Sequence, residues 1–257
     1  MQFVDQLQRT VVLPKTPERI VSLVPSQTEL LVDLGLRENL VGITKFCVHP
    51  ADLRKHVKIV GGTKQVHFDR IEALKPDIII CNKEENTLEM VVALEKIAPV
   101  WISDINRVED SLEMVQRLGE VFKVGGAAEL LIKRISEALE EFQIFIKNFP
   151  SRKTAYIIWK DPFMAAGRNT FINDLLNLNR FENMLISENS RYPEITLNEL
   201  EQAELILLST EPYPFKPHHV FELQKKLNRT VKLVDGEYFS WYGSRMAASF
   251  EYFKTLH

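Results

Sequence analysis

Asp77–Cys81 reads DIIIC, an unbroken apolar run of strand length. A strand with one face in water alternates apolar and polar residues. A continuous run belongs to a strand covered on both faces, as in parallel sheets flanked by helices. The neighbouring sequence keeps to that reading. Arg19–Val24 is a β-branched strand, followed by Ser26-Gln27-Thr28-Glu29, whose spacing predicts a capping box opening a helix with Leu30, Leu31 and Leu34 on one face and Gly35 at its end. Val41–Thr44, Lys58–Val60 and Val100–Ser103 are further strands, and Asp69–Leu74, with Asp69 as cap, and Thr87–Ile97 are helices. Strand and helix in alternation predict an α/β fold with a parallel, doubly covered sheet.

The alternation stops between Val108 and Phe149. Gly125-Gly126 breaks this stretch once, and Leu131, Ile135, Leu139, Phe142, Ile146 and Phe149 then recur every three or four residues. They form one stripe on a helix of roughly 21–23 residues, about 32–34 Å long. Such a helix can be an ordinary packing helix or a strut between two lobes. Alternation resumes with strands at Thr154–Trp159, Glu204–Ser209 and Val231–Asp235. Helices are expected at Thr170–Leu178, Leu197–Gln202 behind a Thr196-x-x-Glu199 capping box, His218–Leu227 and Ser244–Leu256. Asp69–Asn82 laid over Thr196–Ser209, an offset of 127, pairs Glu72 with Glu199, Asp77 with Glu204 and Ile78-Ile79-Ile80 with Leu205-Ile206-Leu207. The same offset pairs Glu84 with Glu211 and supports two similar lobes.

A chain of 257 residues with 45% hydrophobic and 26% charged residues can fill such cores, and disorder is not expected. A formal net charge of -3 without a basic block argues against nucleic acid as a partner. Two cysteines, Cys47 and Cys81, exclude a disulfide framework or a four-cysteine zinc site. They are expected as small buried hydrophobes, with pairing or joint ligation the alternatives. The start, MQFVDQLQRTVVLPK, has no charged n-region, apolar h-region or cleavage site, so no export address is expected. No apolar run approaches the roughly 20 residues of a bilayer span.

Ligands of open parallel sheets bind beyond the carboxyl ends of the strands. The segments expected there are Pro25–Thr28, Lys45–Pro50, Gly61–His67, Asn82–Asn86, Lys160–Gly167, Ser209–Pro217 and Gly236–Arg245, with Arg191-Tyr192-Pro193 beside them. They are rich in rings: Phe46, Phe163, Tyr213, Phe215, Phe239, Trp241 and Tyr242. A large, flat, partly apolar ligand suits them better than a bare ion, although several of these rings can instead be core. Phosphate-loop, dinucleotide and nucleophile-elbow motifs are missing, and Ser26, Ser240 and Ser244 lack His/Asp partners at motif spacing. His49, His67, Glu84 and Glu211 do not form a clean metal-ligand set, and His218-His219 reads as a solvated helix start.

RIVSLVPSQTELLVDLGL, VGIT, IEALKPDIII, the long helix and a second α/β unit resemble the class III substrate-binding proteins of ABC importers, the cobalamin- and iron-siderophore-binding helical-backbone metal receptors. FCVHP, NKEEN, SRYPEI, STEPYPFK and DGEYFSWYGSR look closest to the cobalamin-binding type. The resemblance covers roughly Pro17 to Leu256. It implies two parallel-sheet α/β lobes, 1–107 and 151–257, bridged by a helical region, 108–150, with the ligand in a cleft between lobes.

It further implies a non-enzymatic, monomeric protein that needs no cofactor, captures a corrinoid or ferric chelate and docks on an ABC permease. The expected ligand residues of the first lobe are Ser26, Gln27, Phe46, His49 (also the candidate axial metal ligand), Lys64, Asn82 and Glu84. Those of the second are Phe163, Arg191, Tyr192, Glu211 and Tyr213, with Trp241, Tyr242 and Arg245 in the closing loop. Rings stack on the macrocycle while Ser26, Gln27, Arg191 and Arg245 orient it, so Trp241→Ala should weaken corrinoid binding. Glu85 or Glu89 is the expected docking acid of the first lobe, and Glu211 that of the second. A family of importer receptors implies work outside the cytoplasmic membrane. With the plain N-terminus, either the true start lies upstream or the protein acts in the cytoplasm. The rival readings are a bare zinc or manganese receptor and an enzyme on the same scaffold, such as a sugar-nucleotide transferase.

Overall fold

The alternation is realised in two parallel sheets, seen in a computed structural model that describes residues 1–185 and 190–257. Each sheet anchors its own compact unit. The first unit comprises Met1–Asp104, Glu109–Ser136 and Tyr242–Arg245; the second comprises Ile105–Val108, Glu137–Trp241 and Met246–His257.

The first unit opens with an antiparallel hairpin, β1 (Gln2–Val4) and β2 (Thr10–Val12), which the sequence pattern does not reveal. Its turn is organised by the fully buried Asp5, whose carboxylate accepts from Leu7 N (2.9 Å), Arg9 N (3.0 Å) and Arg9 Nε (2.8 Å). The sheet is built from β3 (Ile20–Ser22), α1 (Pro25–Asp33), β4 (Leu40–Ile43), α2 (Leu53–His56), β5 (Lys58–Ile59), α3 (Phe68–Ala73), β6 (Ile78–Asn82), α4 (Leu88–Leu94) and β7 (Val100–Ser103). Strand order is β5-β4-β3-β6-β7, all parallel. All five residues of β6 are buried, as an unbroken apolar run requires. Leu23, Ile79, Cys81, Val91, Leu94 and Ile102 pack in one cluster.

Three expected helix starts move. Pro25 occupies the first turn of α1, where its fixed φ and missing N–H suit it. The N-cap is therefore Val24, without a side-chain cap, and Ser26, Gln27 and Thr28 are buried helical residues rather than loop. The Ser26–Glu29 capping box does not form. Asp69 likewise lies in the first turn of α3, whose N-cap is His67 without a side-chain bond. His219, expected to be solvated, is buried, and its Nδ1 accepts from Lys216 N (3.0 Å) at the start of α9 (Pro217–Leu227).

After α5 (Val108–Val121) the chain turns through Lys123 at φ 56, and α6 (Gly125–Ile146) runs for 22 residues. The two glycines open this helix rather than separate it from α5. Leu131, Ile135, Phe142 and Ile146 of the stripe are buried. Residues of α6 up to Ser136 group with the first unit, and those from Glu137 with the second. No helix among the described residues is long and apolar enough to cross a membrane.

The second unit contains β8 (Arg152–Trp159), β9 (Met164–Ala165), α7 (Phe171–Leu178), β10 (Phe181–Asn183), α8 (Leu197–Leu200), β11 (Leu205–Ser209), α9, β12 (Thr230–Val234), α10 (Glu237–Ser240) and α11 (Met246–Lys254). Strands run parallel in the order β10-β8-β11-β12, with β9 antiparallel on β8. The Thr196–Glu199 capping box is present. Both cysteines are free and buried. Cys47 Sγ lies 3.1 Å from Thr28 Oγ1, whereas Cys81 sits in the apolar cluster; burial pushes both thiols up.

Candidate functional site

Each sheet presents a polar and aromatic edge at the carboxyl ends of its strands. In the first unit this edge is a buried hydrogen-bond cluster. Gln27, in the first turn of α1, donates through Nε2 to Ser103 Oγ and to Tyr242 OH (3.2 Å). Asn82, the last residue of β6, donates Nδ2 to the same Ser103 Oγ (3.0 Å). Its Oδ1 accepts from Glu84 N (2.8 Å) and Glu85 N (3.2 Å), which shapes the loop carrying both acids. Asn86 closes that loop through Oδ1 to Asn82 N (2.9 Å) and through Nδ2 to Thr63 O (2.8 Å). Lys64 Nζ donates to Glu84 O. Burial holds the Tyr242 phenol well above its ordinary range, opposed by hydrogen bonds to Gln27, Ser26 and Ser103. It is neutral across the physiological range and serves as a hydrogen-bonding group, not as a base.

The closing segment Tyr242–Arg245 belongs to this edge. Gly243 N donates to Ser111 Oγ (2.9 Å), and Arg245 grips Glu29 through Nε (2.9 Å) and Nη2 (2.7 Å). Gly243 sits at φ 90, in the left-handed region. The structure thus brings Ser26, Gln27, Asn82, Tyr242 and Arg245 together, but largely as a buried frame. Gln27 has no exposure, and its Oε1 has no partner among the described residues. Phe46 and Lys64 are exposed, and His49 and Glu84 half-buried, so these are the side chains a ligand can reach.

The edge of the second unit is held by charge and rings. Glu211 Oε1 accepts from Ser240 Oγ (2.5 Å) and Trp241 Nε1 (3.2 Å). Ser209, the last residue of β11, donates Oγ to Glu211 O (2.6 Å) and accepts from Tyr156 OH (3.1 Å). Burial raises the Glu211 carboxyl, with Glu237 and Asp235 adding to the rise and the Ser240 and Trp241 hydrogen bonds opposing it. Trp241 is only 7% exposed, so its indole is a part of the frame more than a free stacking surface. Tyr213 is half-buried, edge-on to Trp159 with ring centroids 5.6 Å apart. Phe163 and Tyr192 are also half-buried, and Arg191 Nη2 donates to Asn106 Oδ1 (3.2 Å). Phe215 and Phe239 are core.

Residue-by-residue reading missed Ser103 and Trp159. Both end a strand, β7 and β8, and the rule that sites lie beyond carboxyl ends selects them. Among the expected docking acids, Glu89 is exposed in the first turn of α4. Glu85 is half-buried; desolvation raises its carboxyl, and the nearby Lys64 counters that. No group of three His, Cys, Asp or Glu among the described residues is placed to hold a metal ion.

The fold has counterparts. The chain is 28% identical over 182 residues to the ABC transporter substrate-binding lipoprotein YvrC of Bacillus subtilis, covering 68% of this chain and 57% of the lipoprotein. It is 21% identical over 238 residues to a vitamin B12-binding protein of Pectobacterium atrosepticum, covering 90% of this chain and 85% of that protein. A periplasmic heme binding protein from Pseudomonas aeruginosa shares the fold with a TM-score of 0.81 at 22% identity, covering 93% of this chain and 92% of the other. The model of the periplasmic binding protein family matches residues 20–212, three quarters of the sequence, and the chain belongs to that family.

Proposed function

We propose that this non-enzymatic, ligand-capturing component of an ABC importer takes a corrinoid or a chelated-iron ligand through loops at the carboxyl ends of its strands. The observation that carries the reading is the family match over residues 20–212, which spans the strands whose carboxyl ends bear the two edges. Relatives named for vitamin B12 and for heme support a flat metal chelate as the class. In the second unit the half-buried rings of Tyr213, Phe163 and Tyr192 are the surfaces suited to pack on such a ligand, with Arg191 as a polar group beside them; in the first unit His49 and Glu84 are the polar groups within reach. Ser26, Gln27, Asn82, Tyr242, Trp241 and Arg245 keep the loops in place. A prearranged frame limits the ordering cost of binding.

Glu89 is the proposed permease contact of the first unit, because its carboxylate is exposed at a helix start whereas Glu85 is partly withdrawn. Glu211 is committed to Ser240 and Trp241, so its docking role is secondary to its role in the loop.

Titration calorimetry of the purified chain with cobalamin and with ferric siderophores tests the reading. Binding of either supports it, and silence from both overturns it. Tyr213→Ala is expected to weaken the productive ligand on the order of tenfold, the loss of one buried ring contact.

A further inference from the structure

We propose that the outer face of α6 is a docking surface for a second copy of this chain, paired antiparallel about a two-fold axis that passes Glu137. α6 is one uninterrupted helix over Gly125–Ile146, so its own geometry fixes where its side chains stand. Opposite the buried stripe lie Leu130 and Ile144, 72% and 70% exposed, among the most exposed large apolar side chains of the chain. They stand about 21 Å apart along the helix axis, on one line, with Glu137 midway between them. Lys133 and Glu140 flank that line on one side, Arg134 and Glu141 on the other, and all five charged residues are exposed. Each flank thus presents a cation toward the helix start and an acid toward its end. Among the described residues, Arg134, Glu140 and Glu141 make no ion pair or side-chain hydrogen bond.

This order of charge runs against the helix that carries it. A helix dipole favours acids in the first turn and cations in the last, and an acid placed one turn before a base is the more stabilising order. α6 has no acid in its first turn and no base in its last, and its outer face places the bases first. The stability of α6 alone therefore does not explain the pattern, whereas a reversed copy does. Across a two-fold axis the same flanks face each other with their direction inverted. Lys133 then meets the partner's Glu140 and Arg134 meets the partner's Glu141, each twice by symmetry, so four opposite-charge pairs surround the contact. Leu130 meets the partner's Ile144 at both ends. Parallel pairing would set like charge on like, so the pattern selects the antiparallel arrangement. The one mismatch is Glu137, which meets its own copy at the axis. Two apolar contacts and four solvated ion pairs make a small interface, so the association is weak and salt-sensitive. It is independent of which chelate the carboxyl-end loops take.

Sedimentation equilibrium of the full chain, up to millimolar concentration at low and high salt, measures the association directly. A monomer–dimer equilibrium that weakens with salt is expected. K133E/R134E and E140K/E141K should each weaken it on the order of tenfold or more, because every pair becomes like-charged. Mixed in equal amounts, the two variants should associate again, as should a chain bearing all four changes. Glu137→Gln should tighten the dimer about two- to threefold by removing the like-charge contact at the axis. Covalent trapping gives a second readout. Oxidised Glu137→Cys should form a disulfide-linked dimer, whereas Leu130→Cys, held about 21 Å from its own copy, should not. Cys47 and Cys81 are buried and do not compete. A chain that stays monomeric throughout, double variants that associate like wild type, a mixture that recovers nothing, Glu137→Gln without tightening, or equal cross-linking at positions 130 and 137 overturns the proposal. Calorimetry on the double variants separates this proposal from the importer reading. Chelate heat retained by chains that no longer associate leaves both intact, and silence from every chelate in a wild type that still associates removes the importer reading alone.

Discussion

The two units solve the same problem at the same place with different chemistry. Strands β6 and β11 are related by the 127-residue offset, and each is preceded by an acid that performs one task. Asp77 Oδ2 accepts from Glu18 N (2.9 Å) and Arg19 N (3.0 Å), while Asp77 N donates to Arg19 O (2.8 Å). Glu204 Oε2 accepts from Lys153 N (2.7 Å), while Glu204 N donates to Lys153 O (2.8 Å). At the far end, Asn82 and Ser209 hold the equivalent position and organise the next loop. Asn82 does so with a neutral amide that reaches Ser103 and two backbone N–H groups. Ser209 does so with one hydroxyl, and a carboxylate two residues on takes up Ser240 and Trp241. The start of the strand is conserved between the units because it serves the sheet. The end differs, and it leads into the loops proposed to take the ligand.

The sharpest way to break this comparison is to delete the two strand-end side chains. Asn82→Ala removes four hydrogen bonds from a buried site and should cost about 2–3 kcal/mol in urea denaturation, with the Glu84–Glu85 loop loosened. Ser209→Ala should cost about 1–2 kcal/mol, chiefly by leaving the Tyr156 hydroxyl buried without its acceptor. A larger loss at Ser209 than at Asn82 would mean that the amide is dispensable and the units are alike after all.

A difference of electrostatic origin comes next. His257, in the second unit, stacks on Phe181 with centroids 4.9 Å apart and lies 3.2 Å from Asn179 Oδ1. Burial, helped by Arg152 and Lys232, lowers its pKa to about 4. An imidazole whose folded pKa lies below its unfolded value near 6.5 takes up protons on unfolding. Its contribution is complete above about pH 6.5 and is lost as pH falls through 4. About 2 kcal/mol is expected to disappear over that interval, after allowing for partial solvent access. In thermal melts from pH 7 to pH 4, wild type should therefore lose about 2 kcal/mol relative to His257→Phe. Parallel curves would remove this asymmetry between the units.

These contrasts mark what the sequence can and cannot disclose. Whatever depends on nearby residues is legible: the buried run of β6 and the Thr196–Glu199 box form as read, four of the six stripe residues of α6 are buried although Phe149 lies past its end, and the 127-residue echo holds in the strands but not in the cap of α3. The misplaced start of α1 is local too, and Pro25 overrides Ser26 because a proline fits the first turn without an N–H to satisfy. The β1–β2 hairpin escapes because its turn is secured from afar: Arg9 Nη2 donates to Val100 O (2.8 Å) and Ile102 N to Asp5 Oδ2 (3.3 Å). The candidate site is half legible for the same reason. Residue types beyond strand ends can be read off, but which of them are frame and which are reachable depends on partners such as Arg245 and Glu29, 216 residues apart.

The shared acids before β6 and β11 permit a test of likeness rather than difference. Asp77→Ala should cost about 1 kcal/mol, for two accepted backbone bonds at a partly covered site, and Glu204→Ala about 0.5 kcal/mol, for one exposed bond. Chemical denaturation of both variants measures the ratio, and a null effect at Asp77 would reduce the echo to a coincidence of pattern.

The smallest effect separates the helices that lead into those strands. In α8, Thr196 Oγ1 accepts from Glu199 N (3.3 Å), and Glu199 Oε2 accepts from Thr196 N (2.8 Å), which satisfies donors at both ends of the first turn. Those bonds also lower the Glu199 pKa. In α3 the N-cap, His67, offers no side-chain cap. Removing a cap exposes a difference only where a cap exists. Thr196→Ala should lower stability by about 0.5 kcal/mol, the low end for a short, exposed helix, and His67→Ala should leave it unchanged. His67→Ser, by supplying the missing acceptor, should add about 0.5 kcal/mol. If all three variants melt with the wild type, helix capping plays no part in how either unit presents its central strand, and the sheets alone set the position of the edges.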